Sequence, residues 1–277
     1  MTSITKNTVD LNVAIGEGFE GENSAHDEKL IKRATRVNIA CGFHGGDPAV
    51  MQRSVDFAIR YDVAIGAYVG LPSLMGMGVS PRNISAKKTR AQVLYQLGAL
   101  HAFAVAAGTQ VRHLKLQGAL YTAAHTDKNL AQAVVDAVAH FDSDIAILGP
   151  AGSELLAVTD KQGLNTIAEV YADRAYNKDG SLVARSDDFS DSFDDSASAE
   201  IADVEECVQR SIRVLKTGKL TAVTGEEIDM NIDSISVDSD NPYAVQLLDE
   251  LRRALHKEGC ALHKNNISLG SRGPCSP

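Results

Sequence analysis

Asn38-Ile39-Ala40-Cys41-Gly42-Phe43-His44-Gly45-Gly46-Asp47-Pro48-Ala49-Val50 reads as a short apolar strand, a glycine-rich bend carrying one histidine, and a helix start. Asp47 suits an N-cap, and Pro48 suits the first helical position, where a missing N–H costs nothing. The glycines around His44 admit backbone conformations that other residues resist. His44 is therefore expected at the carboxyl end of a strand, where α/β folds place their ligand sites. The plainer alternative is a loop histidine beside an ordinary cap.

The same strand-to-helix unit recurs outward from this stretch. Val9-Asp10-Leu11-Asn12-Val13 alternates like a strand until Gly16-Glu17-Gly18 breaks it. Residues 20–35 read as a loop with a short helix, 36–41 as a strand, and Met51, Val55, Ala58 and Ile59 as the stripe of the helix from Asp47. Further strands are expected at 63–67, 111–116, 145–148, 166–171, 220–223 and 234–237. Helices are marked by Val93 to Ala104, Leu130 to Phe141, Ser153 to Lys161, Ile201 to Leu215 and Ala244 to Leu255, the last opened by Asn241-Pro242. A loop rich in Gly, Pro and Ser spans 70–85, and 172–199 is the least regular region.

About seven strand–helix alternations without a linker predict a parallel α/β sheet closed into an irregular seven- or eight-stranded (β/α) TIM-like barrel. It would be one domain over 1–264, with a flexible Ser-, Gly- and Pro-rich tail over 265–277. An open doubly wound sheet is the alternative, but no GxGxxG follows the first strand.

With 277 residues, 44% of them hydrophobic, the chain can bury a full core, and its charge of −9 argues against nucleic acid and anionic membrane as partners. No run is long enough to span a bilayer, and Met1 to Lys6 form no apolar signal core. The four cysteines lie far apart, which suggests neither a disulfide framework nor a zinc knuckle. A cytoplasmic protein is expected. The acidic stretch Ser186 to Ser198 matches no calcium-loop spacing and reads as a solvated segment.

Glu17, His44, Tyr68, Lys115, Gln117, Asp173 and Asp238 each fall at or just past a predicted strand end, so a barrel would gather them at one mouth. Lys115 is a charge inside a strand. It must meet a carboxylate, with Glu17 and Asp173 as candidates, or face the pocket. His113 shares its face by alternation.

These residues also carry a resemblance. Val9-Asp10-Leu11-Asn12 with Gly16-Glu17-Gly18, the stretch 38–50, Gly66-Ala67 with Gly70, His113-Leu114-Lys115 with Gly118-Ala119-Leu120-Tyr121, and Glu169 to Tyr176 resemble the LamB/YcsF family. Its bacterial members are the A component of ATP-dependent 5-oxoprolinase. The resemblance implies an irregular (β/α) barrel distantly similar to polysaccharide deacetylases, and an activity that opens a cyclic amide. Four positions depart from the family pattern. Ala14 replaces an Asp, and Tyr68, Gln117 and Asp238 replace histidines.

So depleted, the set is a poor divalent-metal site, and neither metal nor other cofactor is expected. The remaining chemistry is acid/base. His44 is expected to move a proton, with Glu17 orienting it, Lys115 stabilising an oxyanion and Asp47 nearby. Asn12, Tyr68, Gln117, Tyr121, Asp173 and Arg174 would bind a small-molecule substrate. Lactam opening is the first reading. A metal-independent isomerase, cyclase or lyase recruited to specialised metabolism is the second, and a non-catalytic relative that binds a small molecule or a partner chain is the third. The resemblance brings ATP-dependent partner subunits with it, and a homo-oligomer is compatible with the sequence.

Overall fold

The computed structural model describes residues 8–18, 23–72, 84–185 and 199–263. The predicted tail, the acidic stretch and most of the 70–85 loop lie outside the described residues.

Seven parallel strands close a barrel: β1 (Thr8–Ile15), β2 (Arg36–Ala40), β3 (Ala64–Val69), β4 (His113–Leu116), β5 (Ala146–Pro150), β6 (Thr166–Tyr171) and β9 (Ser234–Val237). Closure comes from β9, which pairs with β6 on one side and β1 on the other. The short strand β10 (Ala261–Leu262) joins β1 at Thr8 and Val9. A two-stranded antiparallel hairpin, β7 (Lys219–Thr221) and β8 (Glu227–Asp229), stands outside the barrel. The predicted closed barrel is thus the observed fold.

Helices α1 (Ser24–Ile31), α2 (Pro48–Arg60), α3 (Ala86–Ala106), α4 (Gly118–Thr126), α5 (Lys128–Phe141), α6 (Glu154–Gln162), α7 (Val204–Thr217) and α8 (Ala244–Lys257) alternate with the strands. Local chemistry sets their ends. Asp47 caps α2, its carboxylate accepting from the amides of Ala49 and Val50, with Pro48 in the first turn. Ser153 and Asp203 cap α6 and α7 in the same way. Asn241-Pro242 makes a turn rather than a helix start: Asn241 accepts from the amides of Tyr243 and Ala244, and α8 begins at Ala244.

The outward strand faces and the inner helix faces form one apolar core, including Leu11, Ile39, Leu97, Leu114, Val134 and Leu251. The barrel lumen is different. Branched aliphatic side chains commonly fill such interiors. Here Asp10, Asn12, Arg36, Asn38, His113, Lys115, Glu169, Ser234 and Ser236, each at most 1% exposed, form a polar column.

Candidate functional site

The column begins with the buried ion pair of Arg36 and Asp10, 3.1 Å apart. Arg36 Nη1 lies 3.2 Å from His113 Nδ1, and His113 Nε2 lies 2.8 Å from Asn38 Oδ1. Asn38 Nδ2 donates to Asn12 Oδ1 at 2.9 Å, and Asn12 Nδ2 donates to Glu169 Oε2 at 3.0 Å and Ser234 Oγ at 2.8 Å. The bonds run without a break toward the carboxyl ends of the strands, and Lys115 tops them.

Lys115 Nζ donates to Glu169 Oε2 (2.7 Å), Ser236 Oγ (3.0 Å) and Asn12 Oδ1 (3.2 Å). An ammonium has three protons, and all three are matched. Its carboxylate is Glu169, not Glu17 or Asp173. The side chain also lies over the rings of Tyr171 (4.4 Å) and Tyr121 (5.9 Å). With its protons matched inside the column, Lys115 forms the floor beneath the mouth rather than projecting a free donor into it. Asn12, expected to bind substrate, is fully buried and likewise spent within the column.

Above this floor sit Glu17 and His44. The bend carrying His44 packs on the loop after β1 without room for side chains. A Cβ on Gly45 would lie 2.4 Å from Glu17 O, and one on Gly46, with φ +81, would lie 2.6 Å from Ala40 O. Glycine is therefore required where the two loops touch, and that contact brings His44 Nε2 to 3.6 Å from Glu17 Oε1. Tyr68 meets the imidazole edge-on at 5.1 Å. On the other side Gly70 faces both His44 and Gln117: a Cβ there would lie 2.5 Å from His44 Nδ1 and 2.9 Å from Gln117 Oε1. Gln96 of α3 holds Gly70 by both peptide groups, at 3.0 and 2.9 Å.

The imidazole side chain is 5% exposed, and neither ring nitrogen has a hydrogen-bond partner among the described residues. Burial lowers its pKa to about 4. Glu17 moves the other way, up to about 7, through burial first and then the nearby acids Asp238, Asp240 and Asp27, against a hydrogen bond from Ser239. Both shifts favour the neutral form, an uncharged imidazole at neutral pH and a Glu17 carboxyl that titrates above its ordinary range.

Asp173 and Arg174 occupy a neighbouring cluster. Asp173 accepts from Asp238 N (3.1 Å) and Asn241 Nδ2 (2.8 Å), and its pKa is raised to about 7 by burial and by Asp238. Arg174 donates to the carbonyls of Ala199 (3.2 Å) and Val183 (2.9 Å), which ties it to the chain between β6 and α7. Arg185, which the sequence did not single out, binds Asp238 at 2.8 Å and Asp240 at 3.0 Å. Asp173, Arg185 and Asp238 line a separate cavity of about 90 Å³. Asp47 acts as the helix cap described above. Tyr121 is buried against Tyr171. Of the expected residues, then, Glu17, His44, Tyr68 and Gln117 meet at the mouth over Lys115, Asn12 and Tyr121.

Among the described residues no group of three or more His, Cys, Asp or Glu side chains is placed to hold a metal ion. No helix there is long and apolar enough to cross a membrane.

A family model described as LamB/YcsF matches residues 9–268. The chain is 42% identical over 251 residues to the A component of 5-oxoprolinase from Fusobacterium nucleatum, covering 91% of this chain and 94% of that one. It is 40% identical over 251 residues to the protein of the same name from Pyrococcus horikoshii, covering 91% and 95%. Among solved structures it is similar to the lactam utilization protein from Thermus thermophilus, with TM-score 0.82 and 33% identity, covering 93% of this chain and 99% of that one.

Proposed function

The chain belongs to the LamB/YcsF family, and from that premise we propose that it is a lactam-opening enzyme, acting as an A-type component beside partner subunits as its relatives' name indicates. The observation that supports it best is the Glu17–His44 pair: a carboxyl poised near neutrality, 3.6 Å from an uncharged imidazole with two nitrogens bare among the described residues. A general base works best with a pKa near the working pH.

In this reading His44 Nε2 accepts a hydrogen bond from Glu17 when the carboxyl is protonated, and so orients it. The Glu17 carboxylate takes a proton from a water as its oxygen bonds to the lactam carbonyl carbon. The resulting acid then gives that proton to the ring nitrogen as the C–N bond breaks, leaving an amine and a carboxylic acid, whose remaining proton passes to the amine. Lys115, with its protons spent, holds Glu169, Asn12 and Tyr171 in place beneath.

The departures at Ala14, Tyr68, Gln117 and Asp238 favour a second reading, in which the same pair moves a proton on a ring that stays closed. Incubating 2-pyrrolidinone-5-carboxylate with the protein, alone and with its partner subunits and ATP, separates the two by product. The open-chain amino acid supports hydrolysis, and a rearranged ring supports the second reading. Equal product from wild type and Glu17→Gln would reject both.

A further inference from the structure

We propose that His113 is a positioning residue: it joins the buried Arg36–Asp10 pair, at the amino ends of the strands, to Lys115 and Glu169 beneath the mouth, and so sets the place of the Lys115 ammonium. That this ammonium serves a reaction rests on the reading above; the joint itself does not. Asn38, Gly66 and His113 stand in one row across β2, β3 and β4. The middle of that row is cut away to admit the ring. A Cβ on Gly66 would lie 2.0 Å from His113 Nε2, so any residue but glycine there would drive the imidazole aside. Through this notch the fully buried ring passes β3 and reaches Asn38 at 2.8 Å and Arg36 at 3.2 Å.

The contacts have a fixed sense. A guanidinium only donates, so His113 Nδ1 accepts from Arg36, and the one proton of the neutral ring sits on Nε2. Burial, then the charges of Arg36 and Lys115, keep the ring neutral. Its Nε2–H donates to Asn38 Oδ1, which turns the Asn38 amide nitrogen toward Asn12 Oδ1 and Val13 O. The Asn12 oxygen also accepts from Lys115 Nζ and Ser236 Oγ, leaving its nitrogen to Glu169 and Ser234. Either amide turned the other way would set donor against donor and acceptor against acceptor. The charge at Arg36 thus orients both asparagines through His113, and they offer one carbonyl oxygen to the ammonium. Lys115 held there lies over the ring of Tyr171, and Tyr171 neighbours Tyr68, which meets His44 edge-on. A continuous run of contacts therefore leads from His113 to the mouth.

The test is side-chain ¹⁵N NMR of the full chain labelled at histidine and lysine, followed by turnover. Wild type should show His113 in the neutral Nε2–H form between about pH 5 and 8, the range in which an ordinary imidazole titrates. The Nδ1–H form, or a ring that charges in that range, overturns the proposal. Gly66→Ala removes no polar group yet should move the Lys115 Nζ signal by displacing the ring, and His113→Phe should move it by silencing the ring. His113→Gln can accept from Arg36 and donate to Asn38 at once, so it should return the signal toward wild type. A Lys115 signal unmoved by the first two changes, or a Gln variant no nearer wild type than Phe, overturns the joint. Where Gly66→Ala and His113→Phe fail to fold, the wild-type ring form and the Gln variant decide. With 2-pyrrolidinone-5-carboxylate, partner subunits and ATP, kcat should fall about tenfold in the first two variants with KM held, the scale of one net hydrogen bond. Unchanged kcat where the Lys115 signal has moved overturns the positioning role. Wild type that turns over no lactam counts against the lactam reading alone, and the Lys115 signal then decides the joint.

Discussion

His44 Nε2 lies 3.6 Å from Glu17 Oε1, and of these two groups it is the carboxyl that changes charge near neutrality. The cause is desolvation, nearly complete for the His44 ring and partial for Glu17, whose side chain is 36% exposed and whose shift the neighbouring acids reinforce. The same burial therefore pushes the acid up and the imidazole down.

Turnover should accordingly rise with pH around a midpoint near 7, set by Glu17, and should show no step near the ordinary histidine value of 6.5. Stability carries the same signature. Unfolded, Glu17 loses its proton near 4.5, and folded near 7, so the native state holds the extra proton between those values. Its contribution is then complete below about 4.5 and is lost as pH rises toward 7. His44 runs oppositely, since the unfolded state holds the extra proton between about 4 and 6.5 and stability recovers as pH rises through that window. The Tm of Glu17→Gln relative to wild type should climb between pH 5 and 8. A flat difference would place the Glu17 pKa at its ordinary value.

Lys115 and Glu169 test the floor of the site. Removing one partner of a buried ion pair leaves an uncompensated charge, at a cost of about 3–5 kcal/mol. Lys115→Met and Glu169→Met should each lose about that much in urea unfolding. The double variant should lose less than either single, because it buries no lone charge. Additive losses would mean that the two side chains are not coupled.

The fate of Lys115 also shows how far the sequence could be read. The barrel strands were legible because apolar runs and alternation survive even in a polar lumen: Val9, Leu11 and Val13 face the helices whatever Asp10 and Asn12 do. α4 was not legible, since it opens with glycine and its apolar residues leave no clear helical stripe. Glu169 was missed for another reason. It sits in a strand with alternating neighbours, and only the closed barrel, which brings β4 and β6 to a common interior, pairs it with Lys115. The one available signal was that a strand lysine needs a carboxylate at an inward strand position, and Glu169 is such a residue. The pKa shifts at Glu17 and His44 were out of reach, because burial depends on loops that touch only in three dimensions.

Gln96 carries the next prediction. Its amide closes both peptide groups of Gly70, the wall on which His44 and Gln117 rest. Gln96→Leu keeps the volume and leaves two backbone groups unpaired, at about 1–3 kcal/mol each. Thermal unfolding should show that loss. The His44 ring ¹⁵N signals should also move, which a purely local defect in α3 would not cause. Unchanged ring signals would confine Gln96 to a structural role.

The last prediction sets stability against function at His44 itself. The ring is buried, uncharged at neutral pH and, among the described residues, bonded through neither nitrogen. An unsatisfied buried polar group costs about 1–3 kcal/mol, so the native state is less stable than it would be with an apolar ring there. His44→Phe removes the polar atoms and keeps the edge-on contact with Tyr68. It should therefore raise Tm at pH 7. The same change takes the partner from Glu17, and ring opening should fall about 100-fold or more, the scale of general acid–base catalysis. Trades of stability for activity in this direction are expected where a site is built for its ligand rather than for the fold. A loop histidine of no functional consequence makes a different forecast: Tm would fall or hold, and the rate per folded molecule would stay level. Measuring unfolding and turnover on the same His44→Phe preparation separates the two.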